Sequence, residues 1–153
     1  MPYLLLKWLH ILLAIAAVGA NMTYAIWLAR GARNPQHLDF ALRGVKILDD
    51  RLANPAYGLL LVTGVVMVFM AGYPITTPWI LIGLVLYIAV VLIGLLGYTP
   101  ALRLQIQLLE SRGPDSPEYR AASRSSTTLA GILAVLIVAI TFLMVTKPSL
   151  WAA

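Results

Sequence analysis

His10 has the most distinctive chemistry in this sequence, because it lies inside a long apolar stretch. Ionisable side chains are costly in membrane-length apolar segments and often mark a function. A neutral imidazole is also a good ligand for haem iron, copper or zinc. Two interpretations carry equal weight at this position: a cofactor ligand, or a histidine that is hydrogen-bonded to a neighbouring helix.

Lys7 and Asn21 share a helical face with His10 and complete a candidate cofactor-binding set. Lys7 is one turn away, although its long side chain could also extend to the membrane surface. Asn21 is a polar residue deep in the apolar stretch. Bridging two helices is the favoured role for such a residue, and ligand binding is the alternative.

Three methionines are predicted at a depth similar to that of His10, namely Met67, Met70 and Met144. Thioether and imidazole groups together suit Cu(I) or a His/Met-ligated haem, so these four residues are the candidate metal set. Haem is favoured over copper as the cofactor. Packing is the stronger interpretation of the methionines themselves, because methionine commonly fills gaps between helices. The sequence contains no cysteine, which excludes thiolate sites.

Two adjacent carboxylates, Asp49 and Asp50, precede Arg51. Paired carboxylates can perform acid–base chemistry, but an ion pair with the neighbouring arginine is the more economical interpretation. Nucleophilic triads, phosphate-binding loops and metalloprotease motifs are absent from the sequence. We therefore predict no catalytic residue.

The segments that hold these residues are more apolar than a soluble domain allows. Of the 153 residues, 61% are hydrophobic and 11% are charged, whereas about 25% are charged in typical globular chains. A helix needs about 20 apolar residues to cross a bilayer. The sequence predicts four such spans in one domain, over residues 3–29, 55–72, 78–100 and 122–146. The predicted fold class is all-α, a polytopic bundle of four transmembrane helices.

Prolines mark the expected helix starts. Proline is tolerated at the first helical position, and a short polar residue before it can cap the free amides. The pairs are Asn34-Pro35, Asn54-Pro55, Thr77-Pro78 and Ser116-Pro117, and Met1-Pro2 supplies the proline without the cap. Pro35 therefore begins an extra helix over residues 35–53. Its apolar stripe predicts an amphipathic helix at the membrane interface, formed by Leu38, Leu42, Val45, Leu48 and Leu52.

Charge sets the expected orientation. Nine of the 11 lysines and arginines lie in the first and third connections, and such an excess is typical of cytoplasmic loops. The third span would continue into the cytoplasm as a polar extension over residues 101–112. We predict a multi-pass protein of the bacterial inner membrane, with both termini outside. Its predicted partner is the lipid bilayer. The basic residues form no stripe that would bind nucleic acid.

Small and polar residues predict which helix faces point inward, since they allow close approach or need partners in lipid. In the first span this face holds Tyr3, Lys7, His10, Ala14, Ala17, Asn21 and Tyr24. The corresponding faces are Gly83, Tyr87, Gly94 and Tyr98 in the third span, and Ser123, Thr127, Ala130, Ala134 and Thr141 in the fourth.

Several short motifs resemble a known group of membrane proteins. The opening Leu6-Lys7-Trp8-Leu9-His10-Ile11 is similar to the first helix of the HemJ-type protoporphyrinogen oxidases and of copper-resistance D membrane domains. The similarity continues in order through most of the chain, in Asp50-Arg51-Leu52, Pro55, Thr63-Gly64, Pro78-Trp79 and Lys147-Pro148. Within that neighbourhood the sequence most resembles small, uncharacterised bacterial integral membrane proteins.

The resemblance implies haem binding at His10, the position of the first-helix histidine in the HemJ-type family. It does not extend to that family's activity. Ile80, Leu81 and Ile82 stand where the family has a lysine, and Ser125-Ser126-Thr127-Thr128 replaces its Asn-Glu-x-Pro motif. The histidine late in the family's third helix is also missing. Protoporphyrinogen oxidation is therefore not expected.

The predicted function is binding of haem or a related tetrapyrrole in the outer half of the bundle through His10. The alternative is a non-catalytic accessory or assembly subunit of a larger membrane complex. The expected partners besides the bilayer are a second copy of the chain, in a homo-oligomer, or such a complex. Transport of a small solute or copper is the third reading. It is less favoured because four helices without an internal repeat leave little room for alternating access.

Overall fold

The computed structural model describes residues 1–149, which form six α-helices and two π-helical turns. The α-helices are α1 (Pro2–Arg33), α2 (Pro35–Leu48), α3 (Asn54–Met70), α4 (Pro78–Leu92), α5 (Thr99–Arg112) and α6 (Pro117–Thr146). The first π turn, Asp49–Ala53, joins α2 to α3, and the second, Ile93–Tyr98, joins α4 to α5. No strand occurs within this part of the chain. The predicted all-α class is confirmed.

Each π turn connects two consecutive α-helices, so the six α-helices form four long helices. The chain is helical without a break over Pro35–Met70 and over Pro78–Arg112, beside the single helices α1 and α6. These four helices have 30 to 36 residues, so each is about 45–54 Å long and exceeds a hydrocarbon core of about 30 Å. All four are apolar enough to cross a membrane. The predicted four-helix bundle is confirmed.

Each π turn ends two residues before a proline within a continuous helix. Proline lacks an N–H, and its ring collides with the carbonyl four residues earlier in a regular α-helix. A π turn changes the pairing to five residues: the Asn54 N–H donates to the Asp49 carbonyl, and the Thr99 N–H donates to that of Gly94. Pro55 therefore follows a π turn, where the sequence predicted the start of a separate helix.

The other prolines begin helices as predicted, at Pro2, Pro35, Pro78 and Pro117. The predicted side-chain caps form at only one start. The Ser116 hydroxyl accepts from the Tyr119 amide at 3.2 Å. Asn34, Asn54 and Thr77 make no side-chain cap, so that prediction was wrong for them. The Thr77 hydroxyl instead donates to the Pro74 carbonyl at 2.7 Å.

The helices pair as two antiparallel hairpins. In the first, α1 lies along α2 and α3; in the second, α6 lies along α4 and α5. We call the end with Pro2, Met70 and Thr146 the terminal half. The opposite end, with both π turns and the connections at Asn34 and Gly113, is the junction half. Contact between α2 and α5 joins the hairpins in the junction half.

The best-buried core lies in the junction half. Leu42, Val45 and Leu102 are fully buried there. They belong to a cluster that draws on α1, α2, α5 and α6. The predicted stripe of α2 is therefore covered by protein at Leu38, Leu42 and Val45. Leu52 is 41% exposed, because the intervening π turn shifts the helical register by one residue.

The inward face of α6 differs from the predicted one. Thr127, Ala134 and Thr141 are exposed, so the prediction was wrong for these residues. Three buried residues, Ala122, Ser126 and Leu133, each lie one position before a predicted residue, and Ile137 is buried on the same face one turn further on. The predicted faces of α1 and of the third long helix are confirmed at Ala17, Tyr24, Gly83 and Tyr98, which are all buried.

Candidate functional site

His10 lies between α1 and α3 in the terminal half. Its Nδ1 atom is 2.7 Å from the hydroxyl oxygen of Thr63, a buried residue of α3. The Thr63 hydroxyl is itself 2.8 Å from the Leu59 carbonyl, to which it donates. With the hydroxyl proton donated to Leu59, the hydroxyl accepts from the imidazole, and this arrangement assigns the ring proton to Nδ1. Nε2 then carries a lone pair, which is the form that binds metal ions.

A glycine in α3 makes room for the imidazole. A Cβ atom at Gly64 would lie 3.3 Å from Cε1 of His10. That separation is tighter than ordinary van der Waals contact, so the close approach of the ring to α3 depends on the missing side chain. The ring is partly exposed on its other side. Thr63 and Gly64 together therefore fix both the position and the tautomer of His10.

The other two residues of the cofactor-binding set are not drawn into this contact. Lys7 is exposed, one turn from His10. The Asn21 amide donates to the Ala17 carbonyl at 2.9 Å and to the Tyr57 hydroxyl at 2.8 Å. Asn21 thus bridges α1 and α3, eleven residues from His10, which corresponds to about 16 Å along the helix.

The methionines of the predicted metal set lie on two helices. Met67 is partly buried and Met70 is 47% exposed, both on α3. Met144 of α6 packs on α4, since its methyl group would be 2.7 Å from a Cβ atom at Gly83. Within residues 1–149, no three histidine, aspartate or glutamate side chains converge as a metal site would require. The copper site stays a prediction.

A second polar cluster, which the sequence did not predict, surrounds Asp49 in the junction half. Asp49 is 5% exposed. Its Oδ2 atom accepts from the Thr99 hydroxyl at 3.0 Å and from the Asn54 amide at 3.3 Å. These three residues come from the first π turn and from the starts of α3 and α5, so this hydrogen-bonded group joins the two hairpins.

The predicted ion pair with Arg51 does not form among the described residues. Asp50 pairs with Lys46 instead, one turn back on the same helix, and Asp49 has no cationic partner in this part of the chain. A signal for the burial of Asp49 was present in the sequence. It continues the spacing of Leu38, Leu42 and Val45 by four residues, and therefore lies on the same face of the helix.

Two tyrosines lie beside this cluster. Tyr24 of α1 and Tyr98 of the second π turn stack with ring centroids 6.3 Å apart and planes 6° from parallel. Both residues are 2% exposed. Neither hydroxyl has a hydrogen-bond partner among the described residues. Buried phenol groups usually find a partner, so these two hydroxyls are unusual.

Three further hydrogen bonds tie the long helices together in the interior. The Tyr87 hydroxyl of α4 donates to the Tyr57 carbonyl of α3. Gln105 of α5 donates to the Tyr119 hydroxyl at 3.2 Å and accepts from the Ser126 hydroxyl at 2.6 Å. Gln105 is 3% exposed, so the predicted polar extension is packed against α6 along this face.

Four long apolar helices with apolar side chains exposed around their outer surface define an integral membrane protein. Comparison with known sequences agrees: residues 4–148 match the family of predicted integral membrane proteins DUF2269. The chain belongs to this family, which covers nearly its whole length. No curated protein and no solved structure matches it. The relation to HemJ-type oxidases and copper-resistance D domains stays a prediction.

Proposed function

We propose that this protein is located in the bacterial inner membrane and binds haem or a related tetrapyrrole, with Nε2 of His10 as the ligand. The observation that supports the proposal is the chain of hydrogen bonds from Nδ1 to Thr63 and from Thr63 to the Leu59 carbonyl. Ligating histidines commonly donate their second ring N–H in this way, which fixes the ring orientation and raises ligand basicity.

The donor set suits a haem better than a bare metal ion. A structural metal ion needs about four protein ligands, and Met67, Met70 and Met144 make no described contact with His10. Haem iron needs only one or two axial ligands from the protein, because the macrocycle supplies the others. A bound haem would supply an iron centre capable of one-electron chemistry or of binding a small gas molecule.

The surroundings of His10 also suit a hydrophobic ligand. The ring lies in the terminal half, between exposed apolar side chains of α1 such as Leu9 and Ile11. With the basic connections in the cytoplasm, this half of the bundle would face the outside of the cell. No acid–base pair accompanies His10 among the described residues. The proposed role is therefore binding rather than catalysis.

Absorption spectroscopy of purified protein tests the proposal. The protein is expressed with haem supplied and purified in detergent, and we expect a Soret band that His10→Ala abolishes. The matched control is His37→Ala, because His37 is the other histidine of the chain and is exposed at the start of α2. Wild-type protein that stays colourless under these conditions, or a band unchanged by His10→Ala, contradicts the proposal.

A second candidate function is that of an accessory or assembly subunit, and the outer face of α6 supports it. A groove on that face is lined by Thr128, Gly131, Ile132, Val135 and Leu136. Thr127, Ala134 and Thr141 lie exposed nearby. Small residues on a lipid-facing surface allow another helix to approach closely.

Substitution of Gly131 by leucine tests this second function. Native-membrane purification should recover a stoichiometric partner with wild-type protein and lose it with Gly131→Leu. The matched control is Gly19→Leu, which places the same change at an exposed glycine of α1. If wild-type protein and Gly131→Leu are both purified from native membranes as monomers, the role of a subunit is excluded.

A further inference from the structure

The cluster at the two π turns contains polar groups that have no described hydrogen-bond partner. The hydroxyls of Tyr24 and Tyr98 are buried and have no acceptor among the described residues. Asp49 uses Oδ2 for both of its hydrogen bonds, so Oδ1 has no donor in this part of the chain. Tyr98 directly precedes Thr99, whose hydroxyl donates to Asp49, and Tyr24 stacks on Tyr98. Around Asp49 there are therefore two buried donors without a described partner and one carboxylate oxygen that accepts no described hydrogen bond.

The chemistry of these three groups identifies what would complete them. A water molecule accepts two hydrogen bonds and donates two, so a single water can accept from both phenols and donate to Oδ1. A metal cation would use the phenol oxygens and leave both O–H groups unpaired. Buried water typically occupies such sites, where it bonds to about three otherwise unsatisfied polar groups.

We propose that a water molecule is bound between Asp49, Tyr24 and Tyr98, and that Asp49 takes up a proton on Oδ1 through this water. Uptake forms an O–H bond on Oδ1 and neutralises the carboxylate, and the proton comes from bulk water at the junction end. In that state the bound water accepts from Oδ1–H and from one of the two phenols, because it accepts only two hydrogen bonds. Release breaks the O–H bond and passes the proton through the bound water back to bulk water. Oδ2 keeps its bonds to Thr99 and Asn54 in both states, because a carbonyl oxygen accepts as a carboxylate oxygen does.

Burial without a counter-ion is what makes Asp49 suitable for this role. The nearest cation is Lys46, and its ammonium group is paired with Asp50. A buried carboxylate that lacks an ion pair is stabilised by proton binding. The titratable groups around Asp49 come from every element packed against it: Tyr24 of α1, Tyr57 of α3, Tyr98 of the second π turn, and Lys46 and Asp50 of its own helix.

The site is independent of the proposed haem ligand. It lies at the opposite end of α1 from His10 and shares no residue with the His10–Thr63 contact. It also joins the two hairpins, since Tyr24 and Asp49 belong to the first and Tyr98 and Thr99 to the second. Protonation at this point therefore changes the charge of the surface along which the hairpins meet.

Infrared difference spectroscopy tests the proposal on full-length protein in lipid nanodiscs. Spectra are recorded through a pH titration, with and without ¹³C-labelled aspartate. We expect the C=O band of one protonated, solvent-shielded aspartic acid, which shifts on labelling and disappears in Asp49→Asn. The matched control is Asp50→Asn, which removes the neighbouring exposed carboxylate and should leave the band in place. A band that survives Asp49→Asn overturns the proposal, as does its absence at every pH.

The bound water is tested by Tyr24→Phe and Tyr98→Phe. Each variant removes one donor that stabilises the carboxylate through the water, so the midpoint of the band's titration should move to higher pH. A midpoint that neither variant changes overturns the water bridge. If Asp49→Asn does not fold, the labelled wild-type protein still decides the question. The side chains of Asp39, Asp50 and Asp115 are at least 42% exposed, so a shielded aspartic acid can only be Asp49.

Discussion

The two halves of this bundle differ in how their polar side chains are connected. In the terminal half, the described contact of His10 is a single hydrogen bond to Thr63, and one ring nitrogen keeps its lone pair. In the junction half, polar groups from both hairpins form joined clusters around Asp49 and Gln105. The junction half also holds the fully buried side chains. The best-buried contacts therefore lie in the junction half, and the proposed haem ligand lies in the terminal half.

The largest effect is expected from a cavity in the junction half. Leu102→Ala removes a fully buried side chain of α5 and should lower the free energy of unfolding by about 2–5 kcal/mol. Chemical or thermal unfolding in detergent measures the change. Leu104→Ala is the matched control on the same helix, because Leu104 is 49% exposed and its loss leaves no cavity. Equal effects of the two variants would contradict the burial of α5 against α2 and α6.

The two halves should also differ in their tolerance of a methyl group at a helix contact. A Cβ at Gly31 would be 2.9 Å from the Cβ of Ala41, which has no flexible side chain to move. We expect Gly31→Ala to destabilise the protein by about 1–3 kcal/mol. Gly64→Ala, whose new methyl meets only the His10 ring at 3.3 Å, should cost less but alter any haem spectrum. The reverse order would show that the terminal half is the more tightly packed.

Hydrogen-bond deletions should show the same contrast. Ser126→Ala removes the donor to Gln105 and leaves a buried amide oxygen unsatisfied, at an expected cost of about 1–3 kcal/mol. Thr63→Val deletes the one bond to His10 and should cost about 0.6 kcal/mol, the average for such bonds between membrane helices. Thr63→Val should nevertheless weaken haem binding about 10- to 100-fold, as loss of an orienting partner does. Unfolding curves of Ser126→Ala and Thr63→Val measure the two losses of stability, and haem titrations of the same two variants measure the change in affinity.

The smallest effect is expected at Gly83, although the nominal clash there is the tightest. A Cβ at this position would be 2.7 Å from the terminal methyl group of Met144. Methionine adapts to irregular space by rotating about its three side-chain bonds, so Gly83→Ala should change stability by no more than about 0.5 kcal/mol. A loss comparable to that of Gly31→Ala would mean that Met144 is held rigidly. Met144→Ala in the Gly83→Ala background would then restore stability.

Local patterns were enough to predict the spans, most helix starts and the inward face of α1 except at Lys7, which is exposed. Hydrophobic length and proline act over a few residues, so these features can be read without knowing which helix neighbours which. The inward face of α6 could not be read in this way. Small residues permit close approach, but they do not determine which face makes it. A shift of one position rotates a helical face by about 100°.

The sequence by itself determined that four apolar helices would form and that His10 would lie among them. Only the tertiary structure decided what each polar group meets. It provides His10 with Thr63 as a partner, and it buries Asp49 where the sequence suggested an ion pair. The physical reason is that hydrogen-bond partners such as Asp49 and Thr99 are 50 residues apart. No local pattern specifies such a pair. The pair is specified by how the two hairpins are aligned along each other.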